Sequence, residues 1–233
     1  GSIGSELVRQ CIKFNPSILI ILDISELNLF KIEREINLNQ SKVLVKPILS
    51  DIRDNLNIEQ IFDEFKPQVV FHAAAYKHVP MQEKFPQEAI KTNVFGTKNV
   101  AEISVKNGVE KFVLVSTDKA VKPVNVMGAT KRLAELVALN YNRNDSSTNF
   151  LAVRFGNVLG STGSVIPLFK SQIQKGGPVT VTHPDITRYF MTIPEACQLV
   201  LEAGTMGNGG EIYVFDMGEA IKIYDVALKM IQL

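Results

Sequence analysis

Residues 111–131 read Lys-Phe-Val-Leu-Val-Ser-Thr-Asp-Lys-Ala-Val-Lys-Pro-Val-Asn-Val-Met-Gly-Ala-Thr-Lys. Phe112 to Val115 is an apolar run of strand length, and four polar residues follow it: Ser116, Thr117, Asp118 and Lys119. A buried strand that delivers a hydroxyl, an acid and an amine to its C-terminal end is how an open α/β sheet builds a site. Met127-x-x-x-Lys131 opens the helical segment that comes next. That spacing puts Lys131 one turn beyond Met127 on the same helix face.

Working outward, β-rich runs and helical periods alternate along the chain, as they do in a parallel sheet covered on both faces. Strands are expected at Ile18 to Asp23, Val43 to Leu49, Val69 to Ala74, Lys111 to Ser116, Phe150 to Phe155 and Glu211 to Asp216. Helices are expected at Glu6 to Phe14, Glu26 to Ile36, Asn57 to Phe65, Pro86 to Asn107, Val126 to Asn142 and Ile223 to Ile231. From Gly156 to Pro178 glycines punctuate a loop-rich part. The expected fold is α/β, a Rossmann-type doubly wound parallel sheet, with residues 1–155 binding the cofactor. Residues 156–233 form mainly a small substrate lobe, with segments returning to the sheet.

The composition excludes several classes. Basic and acidic residues number 25 and 24, so no charge excess points to nucleic acid or to a membrane surface. The longest apolar run, Ile18 to Leu22, is too short to cross a bilayer, and no signal peptide is visible. Cys11 and Cys197 read as buried reduced thiols of a cytoplasmic protein. His72, His78 and His183 lack metal-ligand spacing, so no metal is expected. His72 reads as a satisfied buried histidine.

The opening is unusual. Gly1-Ser2-Ile3-Gly4 leads straight into a helix, where a dinucleotide fold should first supply a strand and an earlier glycine. The sheet is therefore expected to lack its first strand, with Gly1-x-x-Gly4 the tail of a phosphate-binding turn; a cloning remnant at Gly1-Ser2 is the alternative. A helix beginning there offers N–H groups and a positive dipole end to a pyrophosphate. Asp23 closes the next strand, 19 residues after Gly4, where an acid bonds an adenosine ribose. Its alternative role is in the helix N-cap near Ser25. Asp51 and Ile52 are placed to hold an adenine, and Ala73, Ala74 and Ala75 to let the backbone pass beneath a cofactor. Asn93 is expected either to cap or bend its helix, or to orient Lys131 through that bend. The cofactor is NAD or NADP, tightly bound. Asp23 favours NAD, because a carboxylate repels a 2′-phosphate.

Seven stretches together resemble one family. They are residues 1–6, Ala73-Ala-Ala-Tyr-Lys-His-Val-Pro-Met81, Asn93-Val-Phe-Gly-Thr97, Ser116-Thr-Asp-Lys-Ala120, Asn125-Val-Met-Gly-Ala-Thr-Lys131, Arg154-Phe-Gly-Asn157-Val-Leu-Gly and Asp185-Ile-Thr-Arg-Tyr-Phe-Met191. They resemble the nucleotide-sugar 4,6-dehydratases of bacterial surface-polysaccharide synthesis, extended short-chain dehydrogenases acting on UDP-N-acetylglucosamine. The likeness spans essentially the whole chain and is nearest to the branch with Met in place of the superfamily's catalytic Tyr.

The resemblance implies a hydride taken from sugar C4 and returned to C6, with loss of the C6 hydroxyl between. Asp118 is then the acid and Lys119 the base at C5. Burial or neighbouring charge must raise the first pKa and lower the second. Thr117 bonds the C4 oxygen, and Lys131 binds the nicotinamide ribose. Met127 is a thioether and cannot take a hydroxyl proton. Lys77, Asn157, Ser164, Val165 and Arg188 are the implied contacts to the UDP-sugar, Arg188 suiting a diphosphate. Taken alone, Lys77 is equally a solvated turn residue and Arg188 a surface ion-pair residue. The resemblance also implies a homo-oligomer, without nucleic acid or membrane contact from this chain, as the cytoplasmic part of a membrane-anchored parent or as a cytoplasmic enzyme. Two rival readings stand beside it: a nucleotide-sugar 4-epimerase, which needs a base at 127 and no Asp118–Lys119 pair, and a non-catalytic cofactor-binding domain or trimmed fragment.

Overall fold

The computed structural model describes residues 1–38, 42–143, 147–161 and 163–232. The elements run α1 (Ser2–Ile12), β1 (Ile18–Asp23), α2 (Glu26–Leu38), β2 (Leu44–Leu49), α3 (Asn55–Phe65), β3 (Val69–His72), α4 (Val79–Lys84) and α5 (Pro86–Ala89). A π-helical turn (Ile90–Gly96) leads into α6 (Thr97–Lys106), then β4 (Lys111–Val115), a 3-10 turn (Asp118–Ala120), α7 (Val126–Asn140) and β5 (Asn149–Arg154). The rest comprises β6 (Asn157–Val158), α8 (Val165–Gln174), β7 (Thr187–Arg188), β8 (Phe190–Met191), α9 (Ile193–Met206), β9 (Ile212–Val214), β10 (Ile221–Lys222) and α10 (Ile223–Gln232).

The middle of the molecule is a four-stranded parallel sheet in the order β3-β4-β5-β9. Alternation along β4 and β5 sends side chains to opposite faces. Phe112, Leu114, Phe150 and Ala152 pack with Ile58, Phe62, Val100, Ala101 and Ala138, from α3, α6 and α7. Val113, Leu151 and Val153 pack instead with Leu7, Cys197, Val200 and Ala203, from α1 and α9. Both faces are thus covered, which is why these strands read as continuous apolar runs. The Phe112 and Phe150 rings lie 5.0 Å apart at the centre.

β1 and β2 form a separate parallel pair. Among the described residues β1 pairs only with β2 and β3 only with β4. The two free edges line one cavity of about 1710 Å³. Among the described residues the expected sheet is therefore present as two parallel segments, β1-β2 and β3-β4-β5-β9.

Two expectations about elements need correction and a third is refined. α1 begins at Ser2, so Ser2, Ile3 and Gly4 form its first turn, ahead of the expected Glu6 start, and the first intrahelical bond runs from Ser5 N to the Gly1 carbonyl. The helix expected from Pro86 to Asn107 is present and continuous to Lys106, with the π turn lying between α5 and α6. The stretch read as loop-rich holds α8, and α9 follows it. Sequence reading missed α9 although its pattern is two-sided: Glu195, Gln198, Glu202 and Thr205 are exposed on one face, and Ala196, Cys197, Val200 and Ala203 are buried on the other, which lies over β4 and β5. Its start carries a full capping box between Thr192 and Glu195.

Candidate active site

β4 ends by presenting Ser116 and Thr117, and the 3-10 turn then carries Asp118 and Lys119. The turn is pinned to the sheet, since Ser116 N donates to the Val153 carbonyl at 2.7 Å and Asp118 N to that of Phe155 at 3.0 Å. Thr117 Oγ1 donates to Asp118 Oδ1 at 2.8 Å. Lys119 Nζ donates to the same oxygen at 2.9 Å and to Asn157 Oδ1 at 3.1 Å. Hydroxyl, acid, amine and amide thus form one connected group at the C-terminal edge of the sheet.

α7 supplies the second half. Asn125 caps it, its side chain accepting from Gly128 N at 2.8 Å. Met127 and Lys131 share its buried face, as their spacing requires. Lys131 Nζ donates to the Val115 carbonyl at 2.7 Å, so the amine reaches the end of β4. Burial pushes the Lys131 pKa down to about 8, with the Glu135 carboxylate pulling the other way. Gly128 lets α7 approach the turn: a methyl group there would overlap the Lys119 carbonyl.

His72 is buried, and its Nε2 lies 2.9 Å from Thr97 Oγ1. Burial, and then the nearby Lys131 charge, push its pKa down to about 3, which leaves a neutral ring. Asn93 sits in the π turn with no exposure. Its amide accepts from Tyr76 N at 2.8 Å and donates to the Tyr76 carbonyl at 3.1 Å and to Thr130 Oγ1 at 3.0 Å. It therefore clamps the loop after β3 to α7, and it reaches Thr130, the neighbour of Lys131, through that bond.

The large cavity collects most of the residues singled out from sequence. Gly1, Ser2, Ile3, Gly4, Asp23, Asp51, Ile52, Ala73, Ala74, Ala75 and Lys77 line one part, and Thr117, Lys119, Met127, Lys131, Asn157, Ser164 and Val165 line another. Asp118, Asn93, Ser25 and Arg188 are not in the lining. Arg188 is exposed on β7 and donates to the Thr187 carbonyl at 2.8 Å. Asp23 accepts from Ser25 N at 2.9 Å and lies 3.4 Å from the Gly1 amine. Ser25 Oγ accepts from Asn28 N at 3.3 Å, so the cap of α2 is Ser25. Asp51 is engaged by Arg53, whose Nε approaches at 2.7 Å; the hydrogen bond holds the carboxyl below its usual range. Ile52 is buried against Gly96 of the π turn.

These features fit an elongated dinucleotide. A helix N-terminus, a strand-end carboxylate and a run of three alanines gather at the C-terminal ends of β1 and β3, and the buried Lys131 amine stands at the end of β4. Among the described residues no cluster of metal-binding side chains occurs and no helix is long and apolar enough to cross a membrane. Cys11 and Cys197 are free thiols.

A model of the family described as "Polysaccharide biosynthesis protein" matches residues 1–233. The chain belongs to the polysaccharide biosynthesis protein family. It is 55% identical over 234 residues to a Staphylococcus aureus protein named capsular polysaccharide biosynthesis protein CapD, covering 100% of this chain and 39% of that one. The chain thus spans about two fifths of the length of this relative. A Rickettsia rickettsii protein named UDP-glucose 4-epimerase is 40% identical over 220 residues, 92% of this chain and 63% of that one. Among solved structures, Pen from Bacillus thuringiensis superposes with a TM-score of 0.93 at 36% identity, over 100% of this chain and 71% of that chain. The chain shares with these neighbours a Rossmann-type α/β fold.

Two features of the site were missed from sequence. One is Gly128. The other is Glu135, buried on α7 and bonded to Ser116 and Arg154. The signal for Glu135 was available: a charged residue four places after Lys131, between Ala134 and Ala138 on the apolar face.

Proposed function

We propose that this chain carries the catalytic centre of a dehydratase. The reaction converts a UDP-N-acetyl-hexosamine, UDP-N-acetylglucosamine by preference, to a 4-keto-6-deoxy sugar nucleotide for surface polysaccharide synthesis. The observation that carries this reading is the Asp118–Lys119 contact at 2.9 Å, flanked by Thr117 and Asn157. Elimination across C5 and C6 of one sugar needs a base and an acid on neighbouring atoms. One proton moved along this bond turns an ammonium–carboxylate pair into an amine and a carboxylic acid with no change in net charge. The amine can then take the C5 proton while the acid protonates the departing C6 hydroxyl. Thr117 orients the C4 oxygen, and Asn157 holds the Lys119 amine while the proton moves.

NAD, favoured over NADP by Asp23, would when bound supply the transient acceptor and donor of hydride. Gly1 to Gly4 and α1 would hold its pyrophosphate, Asp23 with Ser25 an adenosine ribose, Asp51 and Ile52 the adenine side, and Lys131 the nicotinamide ribose. Ala73 to Ala75 leave room for its backbone, and Asn93 keeps that loop in place. Met127 fills the position beside Lys131 without taking a proton. Lys77, Ser164 and Val165 line the remaining cavity for the sugar nucleotide. Arg188 would reach a diphosphate only if β7 moved toward it. Exposed Leu133 and Leu136 on α7, with Phe95 on the π turn, support assembly as a homo-oligomer. A cytoplasmic location belongs to the same reading, because sugar nucleotides are consumed there.

A 4-epimerase is the second reading, favoured by the Rickettsia relative's name. The deciding experiment incubates the full-length polypeptide with UDP-N-acetylglucosamine and NAD in D₂O and follows products by NMR and mass spectrometry. A 4-keto-6-deoxy product carrying deuterium at C5 supports the dehydratase. A C4 epimer without loss of water replaces it with the epimerase. Bound cofactor without turnover would favour a non-catalytic domain.

A further inference from the structure

Glu135 has no exposed surface, yet its carboxylate takes four hydrogen bonds. Oε1 accepts from Ser116 Oγ and from Arg154 Nε, the latter at 2.8 Å. Oε2 accepts from Arg154 Nη2 at 2.6 Å and from Arg132 Nη1 at 3.0 Å. Burial alone would push this carboxyl up, but the bonds from Arg154, Ser116 and Arg132 more than offset it and hold the group ionised. Its partners sit where the site is built. Ser116 immediately precedes Thr117, Asp118 and Lys119; Arg154 ends β5, three residues before Asn157. Lys119 bonds Asn157, so the contacts close a ring: Glu135 to Ser116, along the turn to Lys119, across to Asn157, and back through Arg154 to Glu135. The same helix face carries Met127 and Lys131.

We propose that Glu135 is a positioning residue, which fixes the ends of β4 and β5 relative to the helix bearing Met127 and Lys131 and so sets where the Lys119 amine stands. A buried ion cluster is a costly way to gain stability, since apolar side chains of like volume would serve as well. What the cluster adds is geometry. A bidentate guanidinium–carboxylate pair has one arrangement, whereas an apolar contact tolerates sliding. That constraint falls at the strand ends, where small displacements matter most for chemistry.

The inference rests on the dehydratase reading, so the test has one readout that needs no substrate. Glu135→Gln and, separately, Ser116→Ala are made in the full-length polypeptide; the second removes one arm of the ring and leaves the Arg154 pair. Acylation of lysines by a water-soluble succinimidyl ester is timed by peptide mass spectrometry, with exposed Lys66 as reference. The Lys119 rate should change by about fivefold or more in both variants while the Lys66 rate stays within about twofold. With UDP-N-acetylglucosamine, kcat should fall by about tenfold or more at nearly constant KM. An unchanged Lys119 rate in both variants overturns the proposal, as does a parallel rise at Lys66, which signals general loosening. If Glu135→Gln does not fold, Ser116→Ala decides alone. If the wild type does not dehydrate the sugar nucleotide, the functional reading fails and the labelling rates still decide the role of Glu135.

Discussion

Lys119 Nζ lies 2.9 Å from Asp118 Oδ1, close enough for one proton to pass directly between the two groups. On the proposed dehydratase reading they have separate tasks. Lys119→Met should abolish both turnover and deuterium entry at C5. Asp118→Asn should lower turnover by about 10²–10⁴-fold, the range for a general acid, and leave slow C5 exchange in place. NMR of sugar nucleotide recovered from D₂O reads both. Equal exchange in the two variants would show that Lys119 is not the base.

Met127 is buried beside Lys131 and has no proton to exchange. Met127→Leu conserves volume and should keep turnover within about tenfold, with less than about 1.5 kcal/mol lost in stability. Met127→Ala should cost about 2–5 kcal/mol through the cavity it leaves. Denaturant unfolding and steady-state rates check the pair. A collapse of turnover in the leucine variant with stability intact would mean that the thioether itself takes part.

Lys131 is held in the folded protein with a pKa near 8, against 10.5 for the unfolded side chain. Between those values the unfolded chain binds more protons, so stability rises with pH there, and the full penalty applies below pH 8. Lys131→Met removes a penalty on the order of 3 kcal/mol, offset by about 1–2 kcal/mol for the lost bond to Val115. The variant should melt higher than wild type at pH 7 and lose that advantage toward pH 10, while turnover disappears. A melting temperature equal to or below wild type across this range would count against a strained amine.

Gly128→Ala would drive a methyl group into the Lys119 carbonyl. Either α7 or the Asp118–Lys119 turn must then move, at a cost of about 1–3 kcal/mol in stability and about 10²-fold in kcat. Calorimetry with kinetics tests this. An unaffected kcat would show that the turn tolerates displacement.

Much of this was legible in the chain. The alternation of strand and helix, the polar quartet after Val115 and the Met127–Lys131 spacing depend on local periodicity, which the sequence states directly. Helix boundaries were less legible. The π turn at Ile90–Gly96 holds Asn93, whose side chain bonds the Tyr76 backbone 17 residues away. α9 was legible but passed over: Glu195, Gln198, Glu202 and Thr205 recur along its exposed face, opposite Ala196, Cys197, Val200 and Ala203. Arg188 matched a motif but stands outside the cavity, since motif spacing does not say which way a strand faces.

The sequence by itself determined that the chain is α/β, which strand ends in the polar quartet, and which residue types stand there. These are properties of short stretches, fixed by period and by residue chemistry. Only the tertiary structure decided that Lys119 meets Asn157, that Asp51 is engaged by Arg53, that Asn93 clamps a loop, and that Glu135 joins two strand ends to one helix. Each of those is a hydrogen bond between elements far apart along the chain or differently turned. Its existence depends on how the layers pack, which no local pattern encodes.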